Sequence, residues 1–459
     1  MVDAPLSRRP AAAGYATHAR GVLVLGLPLI GSHLAQMALQ VTDAVMLGWY
    51  SVEALAAGVL GSTIFFTFFV MGSGFAWAVM PLVAHAAAAG DEVALRRATR
   101  MGMWLSVVFA LAVAPVMWAS GPILQALGQE AGLAALTQDY LRIAGLGMAP
   151  ALLVMVLKSH LAALERTQAV LWITVAAAVL NVGVNWVLIF GNLGAPEMGV
   201  RGAAVASVAV ASASLVALGL HAALAPGLRG HALFVRLWRP DWSAMGRVFR
   251  LGWPIGLTNL AESALFTASS LMMGWIGTRE LAAHGIALQV TSVLFMVHIG
   301  LSNVATVRAG RAEGARDRLA LWRGAVVVTA ISLGFALATV GVLLAVPGPL
   351  VGLFLAPDEP ERAAVIAIGA GLLMVAALFQ LFDAAQVVVL GLLRGVQDTR
   401  VPMVLAAVSY WLVGVPLSYV FAFVLGMGPP GIWLGLAVGL AVAAATMSVR
   451  FWRRFAGAS

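Results

Sequence analysis

Leu25-Gly26-Leu27-Pro28 returns as Leu251-Gly252-Trp253-Pro254, and this repetition decides how the chain is organised. Further along each copy, Met46 with Gly48-Trp49 matches Met272 with Gly274-Trp275. Leu55-Ala56-Ala57 matches Leu281-Ala282-Ala283, all at the same offset of 226 residues (251 less 25). A second block pairs Thr167 with Thr399 and Gly199 with Gly431 at an offset of 232 (399 less 167). Charge-poor apolar runs fill both copies, and their breaks predict helices near 21–48, 54–88, 101–124, 135–157, 167–191, 199–224, 247–274, 281–306, 319–346, 363–393, 401–425 and 431–450. The last break rests on Gly426-Met427-Gly428-Pro429-Pro430-Gly431, which cannot continue a helix. Six spans per copy is an even number, so the halves share one orientation and their symmetry axis runs along the membrane normal. The expected fold is an all-α membrane protein of twelve transmembrane helices in two six-helix lobes facing across a central cleft. The lobes are expected at 1–225 and 247–459, with a cytoplasmic linker at 226–246.

Composition agrees with bilayer as the solvent. Of 459 residues 62% are hydrophobic and 10% charged, and a span needs about 20 apolar residues. The absence of cysteine excludes disulfides, thiolate metal sites and thiol nucleophiles. The net charge of +8 does not point to nucleic acid: only Lys158 among the 27 basic residues is lysine, and most lie in short loops. With the N-terminus inside, every basic residue except Arg142, Arg201, Arg279 and Arg362 falls on the cytoplasmic side, Arg8, Arg9, Lys158 and Arg394 included. That asymmetry predicts both termini in the cytoplasm. The polar segment through Arg20 precedes no short apolar core with a cleavage site, so no removable signal peptide is expected. The linker carries Arg229, Phe234, Arg236, Trp238, Arg239 and Trp242, an interfacial and amphipathic composition.

Of the 19 carboxylates all but Asp43, Glu262 and Asp383 sit at predicted helix ends or in loops. An ionised carboxylate at membrane depth costs at least about 2.5–3.5 kcal/mol, so each is expected to face the protein interior or a watery cavity, where it binds a proton or a cation. Gln36, Gln40 and Asp43 share one face of the first span, and Asn259 with Glu262 share one face of the seventh. The offset places Gln36 opposite Glu262, whereas the position matching Asp383 is Ala151. Gln380, Asp383 and Gln386 form a stripe on the tenth span. Glu262 and Asp383 are therefore expected to share one cation site, with Gln380 or Gln289 as neutral oxygen donors and sodium as a candidate occupant. Asn181 and Asn185 serve either a similar site in the first lobe or an interhelical hydrogen bond. Pro28 and Pro254 read equally as hinges or as static kinks. His298 reads as a proton relay or a packed residue. Phe65, Phe66, Phe68, Phe69 and Met71, with Met272, Met273, Phe295 and Met296, line an adaptable cavity or face core and lipid.

At these residues the sequence resembles the multidrug and toxic compound extrusion family, in its NorM-like branch. The stretch Phe382-Asp383-Ala384-Ala385-Gln386 running to Leu393-Arg394-Gly395-Val396-Gln397-Asp398-Thr399 is similar to that branch's tenth-helix motif. Thr42-Asp43-Ala44-Val45-Met46-Leu47-Gly48, Glu262, Leu180-Asn181 before Asn185-Trp186, and Ser409-Tyr410-Trp411 before Gly414-Val415-Pro416-Leu417 follow the family's order. The resemblance implies antiport of lipophilic, often cationic drugs and dyes against inward sodium or protons, with Glu262 and Asp383 as coupling acids, Asp43 as an N-lobe acid, and Tyr410 among the lining residues.

The expected protein is thus a cation-coupled secondary exporter of small organic molecules, not an enzyme. It works as a monomer in the bacterial inner membrane, without a cofactor beyond the transported Na+ or H+, and without a nucleic-acid partner. No phosphate-cradling Gly-Lys-Ser/Thr loop supports ATP-driven pumping. A lipid-linked saccharide flippase is the alternative, and it is expected to line its cavity with several cations. An intramembrane enzyme would need a nucleophile-base pair or metal motif that the sequence lacks, and a passive channel would need no coupling acids.

Overall fold

The computed structural model describes residues 14–456, so Arg8 and Arg9 lie outside the described residues. Among the described residues the chain forms helices, turns and no β-strand, as a bilayer requires when every backbone N–H and C=O must be satisfied within the span. The spans are α1 Tyr15–Tyr50, α2 Val52–Ala88, α3 Glu92–Trp118, α4 Ala131–Ala163, α5 Thr167–Phe190, α6 Val200–Leu224, α7 Trp242–Ile276, α8 Thr278–Gly314, α9 Arg318–Ala345, α10 Arg362–Gly395, α11 Arg400–Val424 and α12 Pro429–Phe455. Eleven are long and apolar enough to cross a membrane on composition alone. The twelfth, α7, has the length but carries Asn259, Glu262 and a run of Ser and Thr, so its polarity hides it from a hydropathy criterion. Short helices at Ser120–Ala126 and Pro347–Gly352 follow α3 and α9, and α3 begins at Glu92, nine residues before the expected 101.

The two lobes meet along α1, α2, α7 and α8. Their pseudo-twofold relation is visible at single residues. On α2, a Cβ at Gly74 would run into the backbone of Gly252 and Gly256 on α7. The equivalent position on α8, Gly300, lies 3.0 Å by the same construction from the backbone nitrogen of Ile30 on α1. Ala84 on α2 faces its own repeat mate, Gly310 on α8, with 3.1 Å between the methyl and the position of a Cβ. These small residues let backbones touch, the device by which membrane helices associate without a hydrophobic driving force between them. Phe75 of α2 stacks on Phe249 of α7 at 5.7 Å, and one continuous core crosses from lobe to lobe. Both α1 and α7 continue through their prolines, Pro28 and Pro254. Trp49 and Trp275, repeat mates at the ends of α1 and α7, stand exposed where interfacial anchors are expected.

The segment between α6 and α7 is a turn-rich strap containing one 3-10 turn, Arg229–His231, and no amphipathic helix. It is tied down on α3: Arg100 donates to the carbonyls of Leu233 and Ala232 at 2.6 and 2.7 Å, and Trp104 Nε1 to that of Leu237 at 2.8 Å. Asp241 ends the strap as the N-cap of α7, accepting from Ala244 N–H, and pairs with Arg97 at 3.2 Å. The Ala244 amide, the Ser243 hydroxyl and Arg97 together hold its carboxyl below the usual carboxylate range. A depressed carboxylate stabilises above its ordinary pKa, and that stabilisation fades as pH falls through the folded value. Asp241→Ala is therefore expected to cost about 1 kcal/mol at neutral pH. In thermal melts the difference from wild type should shrink once the pH drops below about 4.

Candidate functional site

The predicted site residues separate into two groups, one in each lobe. Gln36, Gln40, Asp43 and Asn181 line a cavity of about 310 Å³ inside the N-terminal lobe, walled by α1, α2, α4, α5 and α6. The cavity is large enough for a drug-sized ligand, and Phe65, Phe66, Phe69 and Trp77 make one side of it aromatic. Only Asn303 of the other lobe reaches it, joined to His33 of α1 at 2.9 Å. This hollow therefore belongs mainly to one lobe, and not to the space between the two.

Asp43 is held from three sides. Its Oδ1 accepts from Asn181 Nδ2 at 3.1 Å and from Asn185 Nδ2 at 2.5 Å, and its Oδ2 accepts from Ser207 Oγ at 3.3 Å. Both asparagines sit on one face of α5, four residues apart, which is why they reach a single carboxylate. The interhelical reading of Asn181 and Asn185 and the reading as an acid site are here the same contact. Asn185→Ala is expected to lower stability by about 1–3 kcal/mol, because it strips the nearest donor from a buried acceptor. Thermal denaturation of the purified protein measures it.

The C-terminal group is drier and less satisfied. Asp383, Gln380, Gln386 and Tyr410 are all buried, and Gln386 Nε2 donates to Tyr410 Oη at 2.7 Å. Tyr410 lies in a π-helical stretch of α11, Val408–Gly414, a local widening frequent at functional sites. Glu262 on α7 lies within electrostatic reach of both Asp383 and Arg394 on α10, and Tyr410 lies within reach of all three. Asp383 Oδ1, Glu262 Oε1, Gln386 Oε1 and both amide atoms of Gln380 are buried without a hydrogen-bond partner among the described residues. Asn259 spends its carbonyl oxygen on Arg394, at 2.6 Å. Gln289 stands half-buried on α8 and makes no hydrogen bond among the described residues. His298 donates to or accepts from Ser332 at 2.8 Å and packs edge-on against Phe335, away from both groups. No cluster of three or more His, Asp or Glu occurs among the described residues, so any cation here would rest on two carboxylates and neutral oxygens.

Two interior cations were missed by assigning all loop-proximal basic residues to the membrane surface. Lys158 lies inside α4 and lines the N-lobe cavity, its Nζ donating to Gln36 Oε1 at 3.1 Å. Arg394 is 5% exposed inside α10, stacked at 5.1 Å on Trp77 of α2. Helical spacing held the signal: Lys158 follows Ala151 by seven residues and Arg394 follows Asp383 by eleven, each returning to the same face. Ser207, His33 and Asn303 carried no distinguishing pattern.

Twelve spans in two like lobes, with a polar-and-aromatic hollow and buried acids, define a membrane transporter and not an enzyme. The chain belongs to the MatE family, the multidrug and toxic compound extrusion transporters: the family model matches residues 28–187 and again 254–420, one match in each half. It is 45% identical over 437 residues to the probable multidrug resistance protein NorM of Rhizobium meliloti, covering 95% of this chain and 94% of that one. The probable NorM of Agrobacterium fabrum is also 45% identical, over 435 residues and the same shares. Among solved structures, a multidrug resistance MATE family transporter in an outward-facing conformation superposes with a TM-score of 0.85 at 17% identity, covering 95% of this chain and 96% of the other. The eukaryotic MATE transporter AtDTX14 gives 0.85 at 19%, covering 97% and 98%. At those identities the likeness speaks to the fold.

Proposed function

We propose that the chain is a secondary active multidrug exporter of the bacterial inner membrane, antiporting lipophilic, often cationic organic compounds against inward sodium or protons. The observation that carries this reading is the pair Glu262 and Asp383, each with a buried carboxylate oxygen that no protein donor satisfies. Such oxygens demand a proton or a cation, and in alternation with the two conformations of the lobes that demand becomes coupling. Gln380 and Gln386 supply neutral oxygens beside them, and Tyr410 holds Gln386 in place. Asp43, Asn181 and Asn185 form the acid site of the N-terminal lobe, next to the hollow that takes the substrate. The lobes 1–225 and 247–459 rock against each other about the α2–α8 contact, the strap 226–246 keeps the halves in register, and both termini lie in the cytoplasm. The chain acts as a monomer and uses no cofactor other than the ion it transports.

One charge moving inward down about 100 mV supplies about 2.3 kcal/mol, which sustains a substrate gradient of roughly fifty-fold. A saccharide flippase would be expected to present several cations to its cavity, and here Lys158 alone does so. The deciding experiment is ethidium movement in everted vesicles. Uptake driven by an imposed sodium gradient with pH clamped, or by a pH gradient without sodium, identifies both the activity and the ion. Equal fluxes with and without any gradient would make the protein a channel and refute the proposal.

A further inference from the structure

The turn from α8 into α9 is the repeat mate of the turn from α2 into α3, and the two share one backbone design. In each, an aspartate caps the second helix: Asp91 accepts from Ala94 N–H at 2.8 Å and Asp317 from Ala320 N–H at 2.9 Å. The residue before the cap is left-handed in both, Gly90 at φ 72° and Arg316 at φ 56°. Its amide donates to the carbonyl three residues back, Ala87 in one copy and Glu313 in the other. Glycine takes that conformation without strain, whereas a side chain is crowded there. The turn itself has no need of arginine at 316, so the strain points to what the guanidinium does.

The neighbours diverge in the same direction. Arg318 stands where the first copy has Glu92, and Arg454 at the end of α12 where the end of α6 has Ala222, at the second offset of 232 (454 less 222). Arg316, Arg318 and Arg454 line one hollow of about 470 Å³ between the α8–α9 turn and the end of α12, with Leu321 and Phe455 as its apolar part. All three arginines are exposed, and none forms an ion pair among the described residues. Two carboxylates share the hollow, Glu313 and the cap Asp317, which leaves one net positive charge (three less two). With the termini in the cytoplasm, as proposed above, these helix ends meet the headgroups of the inner leaflet. Trp322, exposed one turn along α9 from Arg318, is an aromatic of the kind that anchors at that level.

We infer that this hollow binds the phosphodiester of an anionic phospholipid, held by Arg316, Arg318 and Arg454, with the lipid's glycerol against Leu321 and Phe455. A guanidinium fork matches two phosphate oxygens, and basic pockets at the cytoplasmic ends of spans take lipid headgroups. A zwitterionic lipid brings its own cation into a lining that is already positive, so net anions are selected. The bound lipid fastens the end of α12 to the α8–α9 turn, a tie for which the first lobe has no arginines. The inference rests on the proposed membrane orientation and not on the transported ion or substrate.

The test titrates the full-length chain in detergent micelles with phosphatidylglycerol, phosphatidylcholine or inorganic phosphate. Native mass spectrometry counts bound lipid, and the melting temperature is followed in parallel. Wild type is expected to hold phosphatidylglycerol about tenfold or more tightly than phosphatidylcholine and to melt higher in its presence, each arginine near an anionic headgroup being worth about fivefold. Arg318→Gln combined with Arg454→Gln should abolish the preference, whereas Arg247→Gln, equally exposed on α7, should keep it. Arg316→Gly should weaken phosphatidylglycerol binding about fivefold and yet melt no lower than wild type without lipid, a combination that a damaged fold does not give. Equal affinity for the two lipids, a preference that survives the double substitution, or displacement of the lipid by millimolar inorganic phosphate overturns the inference. Ethidium flux has no part in these readouts: vesicles that fail to move ethidium refute the export reading, and lost lipid preference refutes this one.

Discussion

Asp383→Asn, and separately Glu262→Gln, should reduce gradient-driven ethidium transport to the level of vesicles lacking the protein, and Asp383→Asn should do so without making the protein less stable. The two halves of that expectation have one cause. Asp383 is 2% exposed, and its Oδ1 finds no donor among the described residues; the oxygen is held for an exchangeable partner and contributes little to the resting fold. Replacing a carboxylate by its amide removes the ability to bind and release a cation. It also removes the cost of a buried charge, so melting should be unchanged within about 0.5 kcal/mol or improved. Asp43→Asn should behave differently, because three side-chain donors are arranged around an anion: the amide keeps one neutral acceptor for Asn181 and Asn185 and turns its NH2 on Ser207, so the charge-assisted bonds are lost. It should lose stability together with transport. Retained coupling in Asp383→Asn, measured with gradients imposed on purified protein in liposomes, would remove the basis for the proposed mechanism.

Gly74→Ala should part the lobes. A methyl there collides with the carbonyl oxygen of Gly252 and the backbone of Gly256, atoms that no rotamer change can move aside. Alanine normally gains up to about 1 kcal/mol over glycine inside a helix. Overpacking at about 1–3 kcal/mol offsets that gain and, at the upper end expected for a clash with backbone, shifts a two-state equilibrium by about tenfold to thirtyfold away from the packed state. Gly300→Ala, the repeat mate, should do the same through Ile30 on α1, whereas Gly334→Ala on α9 meets open space and should be neutral or stabilising. Because the natural chain has no cysteine, nitroxides at Val93→Cys and Leu319→Cys, themselves repeat mates on α3 and α9, report the lobe separation without background labelling. A longer, broader distance in Gly74→Ala with at least tenfold slower ethidium transport is the expected result. An unchanged distance would mean that the crossing at Gly74 does not define the packed state.

Much was legible before any coordinates. Spacing and hydropathy located the spans, because a bilayer leaves a chain only helices to cross with and a fixed length to cross in. The repeat offset implied a twofold arrangement, and the same offset pairs Gly74 with Gly300 and Ala84 with Gly310 at the crossings. Carboxylates inside apolar runs marked Asp43, Glu262 and Asp383, since burying a charge is costly enough to be informative wherever it happens. Tertiary structure alone decided which of these acids are satisfied and what stands beside them. Periodicity assigns a residue to a face of its own helix and says nothing about the helix opposite. Asn181, Asn185 and Ser207 converge on Asp43 because α5 and α6 pack against α1, while Asp383 and Glu262 meet no such donors. The same reason placed Lys158 and Arg394 in the interior: a basic residue near a helix end reads as surface until a partner on another helix, Gln36 or Asn259, draws it inward.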